Sequence, residues 1–247
     1  MRAFPAFVIV AIFPLASFAQ FFPSPGPGTS AHGGGGGNTW FAPGANDHCT
    51  ANVTSGTAIS CTLGAAPTTN RVIVVGMLTY TGITTATIKD SANNTYTKAP
   101  NSPGNAQDSG AGSAWIYYRV ATGVETATVN VTLGSACAGA CSMFVVAFPY
   151  TGTAPVFDVD GNGNAGTTGA IVLPTLTPTS TNELFVGFCA DENSCAAATS
   201  PWTLGPDGLG TFNEGLEYIL SRNSALNVGF TGTTGNAYDS VGAAFKF

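Results

Sequence analysis

The chain has 247 residues and a formal net charge of −6, with seven Lys and Arg residues against thirteen Asp and Glu. This balance excludes the protein classes that hold nucleic-acid phosphates or anionic lipids by electrostatic attraction, because such proteins need a surplus of cations. Charged residues make up 8% of the chain, against about 25% in an ordinary globular domain. The polar surface must therefore come from Thr, Ser and Asn, and such a hydroxyl-rich surface suits contact with neutral polymers.

Residues 1–19 have the composition of a secretory signal peptide. Arg2 is followed by an apolar run over residues 4–18, and small side chains lead to Ala19, after which we expect cleavage. A membrane anchor is the alternative, but the run is shorter than the roughly 20 apolar residues of a span, and prolines interrupt it. The sequence therefore predicts a protein that is secreted or displayed at the cell surface, without membrane insertion.

Residues 20–38 are rich in Pro and Gly and include a five-glycine run, so they bury too little surface to offset the entropy of ordering. We predict a flexible leader here and a single β domain over residues 39–247. In that domain, short runs of Val, Ile, Thr, Phe and Tyr alternate with Gly, Pro, Asn and Asp, which is typical of a sandwich or barrel. The predicted strands span residues 58–63, 71–80, 86–89, 95–98, 114–121, 127–133, 142–150, 170–173, 183–189, 215–220, 226–230 and 240–247.

All six cysteines lie in the predicted domain, and an even number in an exported protein predicts three disulfides. A zinc site is the alternative, although no paired CxxC spacing occurs and the chain has two histidines. Residues four apart in an extended strand are separated by about 13 Å, whereas a disulfide joins Cα atoms about 4.4–6.8 Å apart. Cys137 and Cys141 can therefore pair only if Gly139 reverses the chain. The expected pairs are local: Cys49 with Cys61, Cys137 with Cys141, and Cys189 with Cys195.

The chain contains two similar halves, at about residues 69–152 and 180–247. The run TNRVIVVG at residues 69–76 resembles TNELFVG at residues 181–187, and each precedes an aromatic run, an alternating run and a strongly apolar strand. We therefore predict an all-β, jelly-roll-like antiparallel β-sandwich built from two diverged repeats that share one core. Residues 215–224 have a helix-like spacing of apolar side chains, but the correspondence between the halves favours a strand there.

Several motifs carry a resemblance to a known group of proteins: IKDSANNTYT, IYYRVA, TVNVT, AFPYTG and NELFVG. They resemble a group of secreted bacterial β-sandwich domains in which the patterns DSxGNTYT, YYAxNV, EYSG and NELLVG recur in this order. The resemblance covers about residues 69–247 and implies export and a sandwich fold, while it transfers no catalytic residue. The chain departs from the pattern at Asn94, where the hairpin of the group usually has Gly, and at Phe148-Pro149, which replaces a Glu before the Tyr.

One segment has the oxygen spacing that opens a calcium loop. Asp158, Asp160 and Asn162, followed by Gly163, match the D-x-D-x-N-G start of such a loop. The twelfth position, where a bidentate Glu should close the site, is Gly169. The alternative is a turn rich in Asp, Asn and Gly between two strands.

An aromatic strand supplies the candidate ligand-binding residues. Trp115, Tyr117 and Arg119 alternate with apolar neighbours, so they share one face of a strand. If that face is exposed, the rings form a platform for stacking on sugars, which Trp202, in a loop, could extend. The alternative is that Trp115 and Tyr117 belong to the core.

Signatures of enzymes are few. A Ser-His-acid arrangement would depend on His48, and no G-x-S-x-G motif occurs. Two carboxylates facing one cleft would suit a glycosidase, but Glu214 and Glu217 are three residues apart, which on a strand sends them to opposite faces. We therefore expect a non-catalytic protein, with an unseen pair of distant carboxylates as the alternative.

These observations rank three functional hypotheses. The first is a secreted non-catalytic module that binds polysaccharide or another surface polymer. The second is a self-assembling structural or adhesive subunit of a surface layer or matrix, in which strand edges pair between molecules. The third is a glycoside hydrolase or lyase. No cofactor is expected apart from the calcium candidate.

Overall fold

Fourteen β-strands make up the secondary structure of the described residues, and no helix occurs among them. The structure, a computed structural model, describes residues 37–80, 82–103, 112–166, 174–191, 195, 200–212, 214–230 and 238–247. The predicted signal peptide and the leader as far as residue 36 lie outside this part of the chain, as do the side chains of residues 162–166 and 191. The strands are β1 (Thr39–Trp40), β2 (His48–Thr62), β3 (Arg71–Thr79), β4 (Ala86–Asp90), β5 (Thr97–Lys98), β6 (Ser113–Val120), β7 (Thr128–Thr151), β8 (Val156–Gly166), β9 (Thr175–Leu176), β10 (Glu183–Asp191), β11 (Thr203–Leu209), β12 (Gly215–Arg222), β13 (Leu226–Asn227) and β14 (Tyr238–Lys246).

Two antiparallel sheets face each other across a core. In the first sheet β7, β3, β6 and β5 lie side by side, and β1 and the first half of β2 pair with the other edge of β7. In the second sheet the order is β11, β12, β10, β14 and β8. The predicted all-β antiparallel sandwich is thus confirmed. Apolar side chains of both sheets fill the space between them, among them Val72, Ile116, Phe148, Leu184, Phe188, Leu216 and Phe245.

The two halves of the chain pair their strands in the same order. β3 lies between β6 and β7, and β10 lies between β12 and β14, so the first strand of each half is central. The registers also correspond, because Val72 is opposite Phe148 on β7 and its counterpart Leu184 is opposite Phe245 on β14. This correspondence supports the duplication, which stays a prediction.

Two strands are longer than predicted because they pair with each other over most of their length. β2 contains fifteen residues, although the sequence predicts a strand only at residues 58–63. β7 contains 24 residues and joins the predicted strands 127–133 and 142–150. Extensive pairing between the two, interrupted by register shifts near Gly56, outweighs the low strand propensity of their Gly, Ala and Ser residues.

Other sequence-based assignments have mixed outcomes. β8 and β11 form where no strand is predicted, and each adds an edge to the second sheet. Residues 215–220 form β12, so the helix alternative for this segment is wrong. The predicted strand at residues 170–173 lies outside the described residues.

The long β2/β7 ribbon folds back on itself. Cys49 and Cys61 lie at opposite ends of β2, and their Cα atoms are 6.0 Å apart. Twelve residues of straight strand would separate these atoms by about 40 Å. The ribbon bends near its middle, where the pairing register shifts on both sides of Gly56. Gly56 has a φ of 94°, a backbone conformation that side chains other than glycine rarely adopt.

Folding back creates a second core on the outer side of the first sheet. The second half of β2, the first half of β7 and the short strand β4 form a three-stranded layer, which we call the folded layer. Its apolar side chains face the first sheet, among them Ile59, Ile88, Val129 and Val131. The opposing side chains come from β3, β6 and β7, among them Ile73, Val75, Met77, Trp115, Tyr117, Met143 and Val145.

All three predicted disulfides are present. Cys49–Cys61 closes the folded ribbon, and Cys137–Cys141 spans the bend of β7 with Cα atoms 6.2 Å apart. Cys189–Cys195 has Cα atoms 6.0 Å apart. Gly139 does allow the second pair to form, but through a bend within a continuous strand in place of the expected chain reversal. Three disulfides fit an oxidising, extracellular environment. In the described part of the chain no helix is long and apolar enough to cross a membrane.

Removing the Cys49–Cys61 disulfide should loosen the folded layer specifically. For the double variant Cys49→Ala/Cys61→Ala we expect a loss of about 3 kcal/mol in the free energy of unfolding, because the bond closes a loop of about twelve residues. Hydrogen exchange should rise at the amides of Val129 and Val131, and the matched variant Cys189→Ala/Cys195→Ala should leave those amides protected. Unchanged exchange in the first variant would contradict the role given to this disulfide.

Candidate functional site

The outer face of the folded layer is a regular array of polar side chains. Along β4 and the first half of β7, apolar residues point inwards and Thr, Asn or Lys residues point outwards, and the second half of β2 follows the same rule. The alternation follows from the period-two geometry of strands, since one face is needed for the second core. The outward side chains are Ser60, Thr62, Thr87, Lys89, Thr128, Asn130 and Thr132.

Cross-strand hydrogen bonds hold this array in place. Ser60 Oγ donates to Asn130 Oδ1 at 2.8 Å, and the hydroxyls of Thr62 and Thr128 are 3.0 Å apart. Asn130 Nδ2 in turn donates to Ser91 Oγ at 3.3 Å. Because these side chains are already positioned on paired strands, a ligand that binds them needs to order few rotamers.

A polar groove runs across part of the array. It has a volume of about 580 Å³ and we call it the hydroxyl groove. It is lined by Thr87, Lys89, Asp90, Ser91, Asn93, Asn130 and Thr132. Sequence reasoning missed this site. The alternation in ATIKD and TVNVT was a visible signal, but the pairing of these two distant segments was not.

The turn that closes one end of the hydroxyl groove is built around Asp90. Its carboxylate accepts hydrogen bonds from the backbone amides of Ala92, Asn94 and Thr126 at 2.8–2.9 Å, and from Asn94 Nδ2 at 2.8 Å. Burial alone would raise the pKa of Asp90, but these hydrogen bonds, led by that of Asn94, lower the pKa below its ordinary value. The left-handed residue of the turn is Asn93, with a φ of 67°. Asn93, and not Asn94, therefore occupies the conformation that favours glycine.

Trp115 and Tyr117 face the second core and are 1% and 4% exposed. Trp115 Nε1 donates to Thr79 Oγ1 at 2.7 Å, and Tyr117 OH donates to the carbonyl of Ala86 at 2.9 Å. Their burial corresponds to the core alternative, and the two rings form no exposed stacking platform. Trp202 is also separate from them: it is 6% exposed, packs against Phe185 and donates to the carbonyl of Asn227.

Trp115 and Tyr117 nevertheless contribute to the lining of a second groove, next to the first. This groove has a volume of about 300 Å³, and we call it the aromatic groove. Thr87 lines both grooves, so they meet at β4. The ammonium of Lys98 lies 5.9 Å from the centre of the Trp115 ring, within the range of a cation–π contact. The other lining residues include Thr84, Thr85, Thr95 and Tyr96.

Arg119, the predicted hydrogen-bond donor of the platform, has a structural role. Its Nε donates to Glu125 at 2.7 Å, and its Nη1 donates to the carbonyl of Thr95 at 3.2 Å. Glu125 is buried and also accepts hydrogen bonds from the amides of residues 122–124. Arg119 thus connects the segment after the Asp90 turn, through Thr95, to the turn before β7, through Glu125. Its guanidinium is therefore engaged within the protein and not available to a ligand.

The calcium candidates do not converge on one point. Asp158 forms a salt bridge with Lys246 at 2.5 Å and accepts hydrogen bonds from the amide and hydroxyl of Thr179. Asp160 accepts hydrogen bonds from the amide and side chain of Asn101 at 2.5 and 3.0 Å. The segment is strand β8, so the turn given as the alternative is wrong, and the side chain of Asn162 lies outside the described residues. Nowhere in the described part of the chain do three His, Cys, Asp or Glu side chains gather as a metal site would require.

His48 has an acidic partner that the sequence did not indicate. Its Nδ1 is 2.9 Å from Asp207 Oδ1, and both side chains are about one fifth exposed. The pair joins β2, at the edge of the first sheet, to β11, at the edge of the second. The observed role of this pair is a contact between the two sheets.

Two buried glutamates lie in the second sheet. Burial raises the pKa of Glu217 to about 8, even though its Oε1 accepts a hydrogen bond from the amide of Gly229. Burial, together with the nearby Asp158 carboxylate, raises the pKa of Glu183 to about 7. Glu214 is buried as well and accepts a hydrogen bond from the amide of Phe212. All three glutamates are at most 1% exposed.

Comparison with known proteins gave no match among protein-family models, curated proteins or solved structures. The hydroxyl groove and the aromatic groove therefore have to be interpreted from their own chemistry.

The raised pKa of Glu217 predicts that the protein becomes less stable as the pH rises. The folded state keeps the proton up to about pH 8, whereas the unfolded chain releases it near the ordinary value of 4.5. Stability should therefore fall between these two pH values and then level off. The Glu217→Gln variant, which stays neutral, should melt several degrees higher than the wild type above pH 8 and at the same temperature near pH 4.

Glu183 contributes in the same direction between about pH 4.5 and 7, so the Glu217→Gln variant should retain part of the slope in that window. Thermal melting followed by circular dichroism across the pH range checks both statements. A variant whose melting profile runs parallel to that of the wild type would show that Glu217 does not hold its proton in the folded state.

Proposed function

We propose that the protein is an extracellular, non-catalytic module that binds a polysaccharide through the hydroxyl groove. The observation that carries the proposal is the groove itself: an open depression lined entirely by polar side chains, on the outer face of a layer held by a disulfide. Export, and the resemblance to secreted bacterial β-sandwich domains, belong to the same proposal.

The chemistry of the groove matches that of a sugar chain. Sugar hydroxyls both donate and accept hydrogen bonds, and so do the hydroxyls of Thr87, Ser91 and Thr132 and the amides of Asn93 and Asn130. The groove is open at the surface, so a long polymer could pass across it without threading through the protein. The low charge of the chain fits this assignment, because a mostly neutral hydrogen-bonding surface requires little desolvation of ions.

A self-assembling subunit is the second candidate, and the edge strand β8 favours it. β8 contains eleven residues and pairs on one side with β14, while Val156 at its start is 54% exposed. A long edge strand of this kind can add a strand from a second molecule. Sedimentation that depends on protein concentration would favour assembly, and concentration-independent sedimentation of a monomer would contradict it.

Removing hydroxyls from the groove should weaken polysaccharide binding. Thr87 and Thr132 are cross-strand partners in the groove, and valine has the same shape as threonine without its hydroxyl. We expect the Thr87→Val/Thr132→Val variant to bind about fivefold more weakly for each hydrogen bond lost, since one such bond contributes about 1 kcal/mol. Depletion of the protein from solution by insoluble polysaccharides measures this effect.

The matched control is Thr50→Val. Thr50 is an exposed threonine on the first half of β2, which is not part of the folded layer. Its binding should equal that of the wild type. Failure of the wild-type protein to bind any polysaccharide of the panel would overturn the proposal, as would an equal loss in the Thr50→Val control. Release of soluble sugar during the same incubation would instead favour the hydrolase hypothesis.

A further inference from the structure

The cationic side chains of the described residues differ in their partners. Three of them form salt bridges with carboxylates, and Arg222 donates to the carbonyl of Ser224. Lys89 and Lys98 have no carboxylate partner within the part of the chain that the structure describes. The salt-bridged pairs are Arg71 with Asp47, Arg119 with Glu125, and Lys246 with Asp158.

The two lysines without carboxylate partners lie in the two adjoining grooves. Lys89 lines the hydroxyl groove and Lys98 lines the aromatic groove, with Thr87 shared between them. Both lysines are exposed. In a chain with thirteen acidic and seven basic residues, carboxylate partners are abundant. Two cations in adjoining grooves that share Thr87 are therefore a feature that a ligand can use.

We propose that the joined grooves bind an acidic polysaccharide, whose sugars carry carboxylate or sulfate groups. This inference rests on the proposed function and names the class of its ligand. Lys89 and Lys98 each contact one anionic group, while the Thr and Asn side chains between them bind sugar hydroxyls. Charge-assisted hydrogen bonds from ammonium groups are stronger than neutral ones, so the lysines select acidic chains over neutral chains of the same shape.

The acidic groups of the protein do not oppose this assignment. Asp90 lines the hydroxyl groove, but three backbone amides and the Asn94 side chain already engage its carboxylate. Its side chain is also buried. Asp90 keeps its negative charge, but Lys89 and Lys98 carry the exposed charges among the residues that line the two grooves.

The test compares three polysaccharides: a neutral glucan, a polyuronate and a sulfated galactan. The full chain should bind at least one of the two acidic polymers more tightly than the glucan, and this preference should shrink in high salt. Lys89→Gln and Lys98→Gln should each weaken binding of that polymer by about two- to fivefold, as expected for the loss of one exposed ion pair. Both variants should bind the neutral glucan as the wild type does. Comparing the polyuronate with the sulfated galactan shows whether the grooves bind carboxylate groups or sulfate groups.

Arg222→Gln is the control, because it removes one positive charge away from the grooves. Equal binding of neutral and acidic polymers by the wild type, with no effect of either lysine variant, would overturn this inference and leave polysaccharide binding intact. An equal loss in Arg222→Gln would also overturn it, because overall charge would then explain the effect. Binding of none of the three polymers would overturn the inference and the proposed function together.

Discussion

The architecture depends on one constraint: the β2/β7 ribbon must fold back over the first sheet. Without the fold, the outer face of β3, β6 and β7 would expose Ile73, Met77 and Trp115 to water, and the domain would have one core in place of two. The Cys49–Cys61 disulfide fixes the two ends of β2 next to each other, and Cys137–Cys141 fixes the bend in its partner strand. Local disulfides thus stabilise a long-range feature, because they lock the shape of a ribbon whose strands are far apart in sequence.

The same fold-back accounts for the surface that we assign to binding. The apolar residues of the folded layer are committed to the second core, so the alternate residues must face outwards, and here these are almost all Thr, Ser or Asn. A flat, polar layer on a rigid support can bind an extended sugar chain at a small entropic cost. From the sequence alone, the low content of charged residues favoured a neutral polymer as ligand. The positions of Lys89 and Lys98 in adjoining grooves favour an acidic polymer instead. Few cations are present, and two of the described cations that form no salt bridge, Lys89 and Lys98, line adjoining grooves.

Local sequence patterns predicted the features that depend on local geometry. They failed for features that depend on pairing or packing between segments distant in sequence. The disulfide pairs follow from short spacings. For Trp115 and Tyr117, alternation predicted a shared face but gave no sign of which face is buried, because the folded layer that covers them comes from distant residues. Arg119 was wrongly predicted to bind a ligand, because the strand pattern does not indicate that Glu125, beyond the following turn, is its partner. The segment with Asp158 and Asp160 has the composition of a turn, yet it pairs with β14 as an edge strand.

The most direct test of the central claim is to locate the ligand-binding surface residue by residue. Amide chemical shifts of the isotope-labelled protein would be followed during titration with a short oligosaccharide of uronic acids. The account predicts that the largest changes occur in β4, the first half of β7 and around Lys98, including Thr87 and Asn130. The second sheet, including β11, should be unaffected. Changes confined to the second sheet, with none in the folded layer, would contradict the claim that the folded ribbon forms the binding surface.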